Sequence, residues 1–128
     1  MPRYRLTVRD EFCAAHALRI AGQIEPTHGH NWRVTLAVAG DQLDDDKLLC
    51  DFHAVERALR AVIDPFRNAD LSNTPPFDTV NATAEAIAEH IADSVAQRLE
   101  GSLPPGVMVE SAAVTEAPGC EAIFFMPT

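Results

Sequence analysis

Apolar and polar side chains alternate in two segments of the first forty residues. The alternation runs through residues 4–12 and again through residues 32–38. A period of two is typical of strands that bury one face, so both segments are predicted to be strands. Gly40 then indicates a turn, and the short apolar run at 48–50 is predicted to be a returning strand. Residues 17–30 form a longer excursion between the first two strands.

The middle of the chain changes to a helical period. Apolar residues recur at three- and four-residue steps across residues 52–63 and again across residues 83–100. This spacing predicts two amphipathic helices. The proline-containing segment 65–82 between them is predicted to be loop, because proline ends a helix. Thr83 or Asn81 is expected to cap the second helix.

Two further strands are predicted at residues 107–114 and 122–125. Blocks of strands with the helices grouped between them predict an α+β fold with an antiparallel sheet. The length favours one domain covering residues 1–128. A single small sheet with one layer of helices leaves open edges, so several copies are expected to assemble through those edges.

Composition and charge narrow the classes of partner. Hydrophobic residues make up 47% of the chain, which is enough for one core, and the formal net charge is −9. An acidic chain lacks the basic face that nucleic acid or an anionic membrane requires. The absence of a long apolar run and of a signal-peptide core predicts a cytoplasmic protein. Cys13, Cys50 and Cys120 are far apart and without a CxxC pair, so they are predicted to be free, buried thiols.

Three histidines have the spacing of a candidate metal site. His28 and His30 flank Gly29 at the start of the second strand pattern, and His16 lies at the end of the first. Residues i and i+2 of a strand point to the same side. If the two strands are neighbours, three imidazoles converge, which is the ligand set of a catalytic zinc with an open fourth position. Two histidines separated by one residue also occur by chance, so the pattern leaves both interpretations open.

Five segments, in the same order along the chain, resemble motifs of the 6-pyruvoyl-tetrahydropterin synthase / 6-carboxytetrahydropterin synthase (QueD-like) family. They are residues 12–16 (FCAAH), 28–32 (HGHNW), 49–52 (LCDF), 81–85 (NATAE) and 115–118 (TEAP). The resemblance implies the tunnelling fold, with a ββααββ subunit, trimers that form a β-barrel, and two trimers stacked into a homohexamer. It implies zinc on His16, His28 and His30.

The same resemblance implies a pocket between subunits for a pterin- or purine-like ring. Glu116 would hold the ring, with Thr83 and Glu85 nearby. A pterin presents an N–H and an amino group side by side, and one carboxylate accepts from both. Without the resemblance, a solvated glutamate on the surface of a strand is the preferred interpretation of Glu116.

The chain departs from the family at the nucleophile. The family carries a catalytic cysteine four residues before the first His of its H-G-H motif, and that position is Ile24 here. Residues 25–30 (EPTHGH) resemble instead a branch that uses glutamate as the base. That branch resembles a folate-route enzyme that cleaves 7,8-dihydroneopterin triphosphate to 6-hydroxymethyl-dihydropterin. Glu25 is therefore the candidate catalytic base beside zinc if burial raises its pKa, and the alternative is a solvated loop glutamate.

A second departure removes the family's Asp-His proton relay. The matching positions are Arg67 and Asn68. Asparagine is no general acid or base near neutral pH, and arginine stays protonated. Arg67 is instead a candidate to pair with a phosphate or carboxylate of the ligand. His53 and His90 are expected to be exposed helix residues and not relay groups.

Three hypotheses follow from the sequence. The first is a zinc-dependent lyase that acts on 7,8-dihydroneopterin triphosphate or a related pterin with diverged catalytic residues. The second is a binding protein for a pterin- or purine-like ligand that lacks synthase activity. The third, a metalloprotein of unrelated fold such as a cupin-like barrel, is disfavoured by the two regular helices.

Overall fold

The computed structural model describes residues 1–128. It contains four long strands, two helices and three short strands, with brief 3₁₀ turns after the first helix and after the third short strand. In chain order the elements are β1 (Tyr4–His16), β2 (Arg19–Ile20), β3 (Gln23–Ile24), β4 (His28–Gly40), α1 (Phe52–Ile63), β5 (Ala69–Asp70), α2 (Ala84–Arg98), β6 (Met108–Ala117) and β7 (Cys120–Phe125).

The main sheet has five strands in the order β5-β1-β4-β6-β7. All of its long strands pair antiparallel, whereas the two-residue β5 pairs parallel with β1, so the sheet is mixed. Helix α1 packs on β1 and on α2, and α2 packs on β6 and β7. The result is a two-layer α+β fold with the order ββααββ among its main elements, as the alternation and the helical spacing predict.

The register of β1 and β4 decides which side chains face the helices. Their pairing runs without interruption from Tyr4 opposite Gly40 to His16 opposite His28. Phe12 and Trp32 are cross-strand partners, both buried under the helices. Because side chains alternate between the two faces, the even-numbered residues of both strands share the core face.

Side-chain caps fix where both helices begin. The Asp51 carboxylate accepts a hydrogen bond from the backbone N–H of His53 at the start of α1. Thr83, and not Asn81, caps α2 by accepting from the N–H of Ala86. Such caps satisfy amides that have no partner within the helix.

The predicted returning strand at residues 48–50 is wrong. This segment is irregular, although Leu49 and Cys50 are buried as their apolar character requires. The Asp44 carboxylate accepts hydrogen bonds from the backbone N–H groups of Asp46 and Leu48. A side chain that takes these amides folds the chain into a turn and leaves them unavailable to a strand ladder.

The excursion between the first two long strands contains a small hairpin that the sequence pattern does not predict. Strands β2 and β3 are joined by Ala21 and Gly22, which both have positive φ. Positive φ at both central residues matches the turn that a two-residue hairpin requires, and glycine adopts it at no steric cost. This hairpin lies directly before the histidine pair of β4.

The cysteine prediction is correct in one part and wrong in another. All three thiols are free, but Cys13 and Cys120 are exposed and only Cys50 is buried. Cys13 lies on β1 between Phe12 and Ala14, both of which are buried, so its side chain points away from the core. Neither helix has the length and apolar character needed to cross a membrane.

Candidate metal and ligand site

The three histidines of the candidate metal site converge at one end of the long hairpin. His16 and His28 are cross-strand partners, and His30 lies opposite Ala14 on the same face. The Nε2 atoms of His16 and His28 are 3.1 Å apart. One nitrogen from each of the three rings lies within 4.8 Å of the others. The β1–β4 register therefore brings together the two sequence segments that carry the histidines.

Backbone carbonyls orient two of the rings. Nδ1 of His16 is 2.8 Å from the carbonyl oxygen of Ala82, and Nδ1 of His28 is 3.0 Å from that of Pro26. A carbonyl accepts only, so each Nδ1 is a protonated nitrogen, and in the neutral ring Nε2 then carries the free lone pair. Hydrogen bonds of this kind fix the tautomer that a metal-binding histidine needs.

The third ring supplies direct evidence that the cluster fits a cation. Nε2 of His30 is buried and has no hydrogen-bond partner. An orphaned buried nitrogen is costly unless a ligand satisfies it. Three inward-facing imidazole nitrogens are a donor set that suits zinc, with a fourth position left for another ligand. The residues present therefore fit the metal that the resemblance implies.

Burial also favours the metal-binding form of His30. Desolvation lowers the pKa of His30, and the neighbouring rings of His16 and His28 lower it further, whereas the carboxylates of Glu116 and Glu25 raise it. Because the desolvation effect is the largest, the neutral ring is favoured. A neutral imidazole is the form that binds a metal.

The indole ring of Trp32 forms the apolar floor of the cluster. It is fully buried, and its ring centroid lies 4.9 Å from that of His16 and 5.3 Å from that of His30, edge to face in both cases. The indole N–H donates to the carbonyl of Ala14 at 3.1 Å. A rigid apolar wall of this kind holds the imidazoles in place and keeps water from their inner side.

Glu25 lies beside the histidines, as the proposed base must. One carboxylate oxygen, Oε1, is 3.6 Å from Nε2 of His28 and accepts a hydrogen bond from the backbone N–H of Leu18 at 3.0 Å. The backbone N–H of Glu25 donates in turn to the carbonyl of Leu18. These two bonds hold the carboxylate at the edge of the cluster with about a third of the side chain exposed.

Asn81 connects the hairpin that precedes Glu25 to the start of α2. Its side-chain oxygen accepts from the backbone N–H of Arg19, and its side-chain NH₂ donates to the Arg19 carbonyl, both at 2.9 Å. The next residue, Ala82, provides the carbonyl that orients His16. The sequence did not predict this role of Asn81, because nothing in the local pattern indicates a partner 62 residues away.

Glu116 projects into the same cluster from β6. It follows buried Val114 by two residues and therefore faces the helices, at a β-bulge in the pairing with β7. Its Oε1 is 3.2 Å from Nε2 of His16 and 3.7 Å from Nε2 of His30. Bulges often re-aim a side chain at a functional site. The structure thus brings two carboxylates to the three imidazoles, with Glu25 beside His28 and Glu116 beside His16 and His30.

Two other candidate ligand residues lie at the beginning of α2. The Thr83 hydroxyl is occupied as the helix cap. Glu85 is exposed and lines an open surface cleft together with Glu116 and residues 119–123 of the β6–β7 hairpin. Glu116 is thus shared between this cleft and the histidine cluster.

The structure does not bring Arg67 to the histidines within the chain. Its guanidinium donates to the carboxylates of Asp64 and Asp10 and to the carbonyl of Glu11. Glu11 lies five residues before His16 on β1, which is about 16 Å along a strand. The role of Arg67 as an anion-binding residue stays a prediction.

The remaining candidates for a proton relay lie away from the cluster. Asn68 has positive φ, and its backbone N–H donates to the carbonyl of Cys13. His53 is exposed, as expected. The expectation that His90 is exposed is wrong, because its ring is partly buried edge-on against two phenylalanines. Burial lowers the pKa of His90, and Asp93 opposes this shift.

Two long strands, two helices and two further strands, with candidate ligands at one end of the sheet, define a T-fold protein. The family follows from the sequence as well as from the fold. A family model described as 6-pyruvoyl tetrahydropterin synthase matches residues 5–126, and the chain belongs to this family.

Individual relatives agree with this assignment. The chain is 31% identical over 90 residues to 6-carboxy-5,6,7,8-tetrahydropterin synthase of Bacillus subtilis (strain 168), a match that spans 68% of the chain and 62% of that relative. The 6-pyruvoyl tetrahydropterin synthase of Caenorhabditis elegans has a similar structure, with a TM-score of 0.81, 17% identity and 99% of each chain covered. A Plasmodium vivax 6-pyruvoyltetrahydropterin synthase whose catalytic glutamate is changed to alanine gives a TM-score of 0.78 at 16% identity, with 98% of each chain covered.

Proposed function

We propose that this protein is a zinc-dependent lyase that acts on 7,8-dihydroneopterin triphosphate or a related pterin. The observation that carries the proposal is the meeting of three imidazole nitrogens within 4.8 Å, with the Glu25 carboxylate 3.6 Å from one of them. Membership in the 6-pyruvoyl tetrahydropterin synthase family supports a pterin as the substrate class. The curated relative, a 6-carboxy-5,6,7,8-tetrahydropterin synthase, supports the same class.

His16, His28 and His30 would hold the zinc ion. A zinc ion held there would supply Lewis-acid polarisation of oxygens on the C6 side chain of the pterin and would make the adjacent C–H or O–H more acidic. The backbone carbonyls of Ala82 and Pro26 keep both Nδ1 atoms protonated, so the lone pairs of Nε2 point inward.

Glu25 is the proposed general base. Its carboxylate lies beside His28 and is anchored by the Leu18 N–H, so it needs no large movement to reach a proton next to the metal site. Proton removal by a positioned carboxylate contributes about 10²–10⁴-fold to rate in enzymes. The proposal agrees with Ile24 at the position where the family carries cysteine, since an isoleucine side chain takes no part in proton transfer.

Recognition of the ring would fall to Glu116, with Glu85 on the same cleft and Thr83 close by at the start of α2. One carboxylate accepts from both the ring N–H and the exocyclic amino group of a pterin. We further propose that the site is completed between subunits of a homohexamer and that the protein acts in the cytoplasm. Light scattering on the purified protein tests the hexamer, and a monomeric mass would contradict it.

A second candidate function is binding of a pterin- or purine-like ligand without synthase activity. The observation that favours it is the missing relay: Arg67 and Asn68 occupy the positions of the family's Asp-His pair, and the Arg67 guanidinium is bound to Asp64, Asp10 and the Glu11 carbonyl. Under this alternative, zinc and the cleft bind a ligand, but no group moves the proton.

Turnover of 7,8-dihydroneopterin triphosphate by the zinc-loaded protein separates the two candidates. We expect a new pterin product by chromatography, and we expect Glu25→Gln to reduce its rate by at least about 100-fold. Glu11→Gln, at an exposed carboxylate near Arg33, serves as the matched control and should retain full activity. Tight pterin binding with no product would favour the binding protein, and an active Glu25→Gln variant would refute the assignment of the base.

A further inference from the structure

A second cleft lies at the end of the sheet opposite the histidines. It has a volume of about 390 Å³ and is bounded by the segment after β4, the start of α1 and the loop after α2. A Cβ on Gly40, the last residue of β4, would lie 2.9 Å from Cδ1 of Leu49, which places this segment at the end of that strand. His28 begins the same strand, so about 40 Å of β4 separates the cleft from the histidine cluster.

Large apolar side chains line this cleft, and the fold leaves two of them half exposed. Leu48 exposes 52% of its surface and Phe52 exposes 51%. Buried Leu99, together with Leu103 and Pro104, lines the same cleft. Scattered apolar residues are common on protein surfaces, whereas an exposed apolar patch with a polar rim is typical of a site that binds another protein.

The rim of the cleft is strongly acidic. Residues 41–56 contain six acidic residues and a single lysine, Lys47, and therefore carry more than half of the formal net charge of −9. Glu100 adds a carboxylate on the loop after α2. The aspartates at 44–46, Asp51 and Glu100 form no ion pair within the chain. Their charge attracts cationic groups to the cleft.

The two helix ends at the cleft do not offset this charge. Helix α2 ends at Arg98, with Leu99 as its C-cap, and the C-terminal end of a helix carries partial negative charge. The Arg98 side chain lines a different cleft, on the other side of α2. The N-terminal end of α1 carries partial positive charge, but the Asp51 carboxylate caps it. The cleft therefore combines an apolar lining with a negative rim.

We propose that this cleft binds a basic amphipathic helix of a partner protein. Apolar side chains of that helix would contact Leu48 and Phe52, and its lysine or arginine side chains would lie against the acidic rim. A helix presents such apolar residues three and four positions apart along one face, and complementary charges at the rim speed association and fix its orientation. The site is independent of the proposed pterin chemistry, because it shares no residue with the histidine cluster.

The composition of the cleft favours this occupant over two others. Its lining residues belong to helix ends and loops, so the cleft offers no strand edge to which an extended peptide could be added. The Asp44 carboxylate also occupies the backbone N–H groups of Asp46 and Leu48. A second copy of this acidic chain would bring like charge to the rim, which disfavours a contact between identical copies.

The test measures the affinity of a fluorescein-labelled peptide by fluorescence anisotropy. The peptide has about 15 residues, enough to form a helix, with leucine along one helical face and lysine at the other positions. We expect Leu48→Ser/Phe52→Ser to weaken binding at least about tenfold, because two half-exposed apolar side chains are lost. Asp45→Asn/Asp46→Asn should weaken binding at low salt and have little effect at about 1 M salt, where surface charges are screened.

Two controls separate a specific site from general attraction. Ile20→Ser removes an apolar side chain that is 60% exposed on the hairpin at the histidine end of the sheet, and it should leave peptide affinity unchanged. A peptide with glutamate in place of every lysine keeps the apolar face and should bind at least about tenfold more weakly, because its charge matches that of the rim.

Four results would overturn the proposal. They are no binding of the lysine peptide to the wild type, equal affinity for the wild type and Leu48→Ser/Phe52→Ser, an equal loss in Ile20→Ser, and equal affinity for the glutamate peptide. A change of oligomeric mass in Leu48→Ser/Phe52→Ser, measured by light scattering, would show that a second copy occupies the cleft and would overturn it as well. Unfolding midpoints in urea confirm that each variant is folded, and Asp45→Asn/Asp46→Asn, which keeps both apolar side chains, provides the test if the serine variant does not fold.

Discussion

Replacement of Asn81 by alanine should loosen the hairpin that positions the proposed base. Asn81 forms two hydrogen bonds, both 2.9 Å long, with the backbone of Arg19. Strands β2 and β3 have only two residues each, and a two-stranded hairpin is marginal in water without further contacts. The Asn81→Ala variant removes both contacts and leaves the carboxylate of Glu25 on a less constrained segment.

The size of the effect follows from the two bonds. Each contributes about 0.5–1.5 kcal/mol net, so their loss lowers the free energy of local opening by about 1–3 kcal/mol. At about 1.4 kcal/mol for each factor of ten, the opening equilibrium rises by about 5- to 150-fold. The readout is hydrogen exchange at the Glu25 amide, which donates to the Leu18 carbonyl and forms no hydrogen bond with Asn81.

Asn73→Ala provides the matched control, since the Asn73 side chain donates to the Asp70 carboxylate and forms no hydrogen bond with the hairpin. It should leave exchange at Glu25 unchanged. Asn81→Asp keeps an acceptor for the Arg19 N–H but loses the donor, so an intermediate rate is expected. If exchange at Glu25 in Asn81→Ala equals that of the wild type, the hairpin is held by other contacts and the reasoning is refuted.

Three further predictions concern the sheet and the helices. Trp32→Phe removes buried ring area and the donor to the Ala14 carbonyl, so the free energy of unfolding in urea should fall by about 1–3 kcal/mol. An unchanged urea midpoint would contradict the role of Trp32 as the packed floor of the histidine cluster. Gly40→Ala places a Cβ 2.9 Å from Leu49 Cδ1, so it should lower the thermal midpoint and reduce the free energy of unfolding by about 1–3 kcal/mol. An equal or higher midpoint would show that the Leu49 side chain moves away freely. Burial lowers the pKa of His90 in the folded protein, so His90 binds a proton more readily in the unfolded chain. The contribution of neutral His90 to stability is therefore complete above a pH of about 6.5, the ordinary pKa of histidine. It is lost as the pH falls toward the lower pKa of the folded state. His90→Gln should therefore flatten the decline in stability between about pH 7 and 5, and identical slopes for variant and wild type would rule this out.

Strongly periodic segments were predictable from the sequence, and segments governed by side-chain contacts to the backbone were not. Residues 52–63 were predicted as a helix and form α1 with the same limits, because an apolar stripe, a capping aspartate and a following proline act together. The strand predicted at residues 48–50 was wrong because three consecutive apolar residues indicate burial but not a backbone conformation. There the Asp44 carboxylate, four residues from Leu48, determines the turn.

The meeting of the three histidines was predictable from strand geometry once β1 and β4 were taken as neighbours. The contacts that orient the rings were not, since they involve the carbonyls of Ala82 and Pro26, and a carbonyl has no signature in a sequence. The approach of Glu116 to His16 also depends on a bulge in β6, which period-two alternation does not reveal. The sequence therefore predicts the candidate ligand residues, but not the backbone carbonyls and the β-bulge that orient their side chains.

A crystal structure of the zinc-loaded protein with neopterin bound, phased with anomalous data at the zinc edge, tests the central claim most directly. The account predicts one anomalous peak per subunit, within about 2.0–2.1 Å of a nitrogen from each of His16, His28 and His30, with the pterin ring in the adjacent cleft. A peak held by other residues, or a pterin bound away from the histidines, would contradict it.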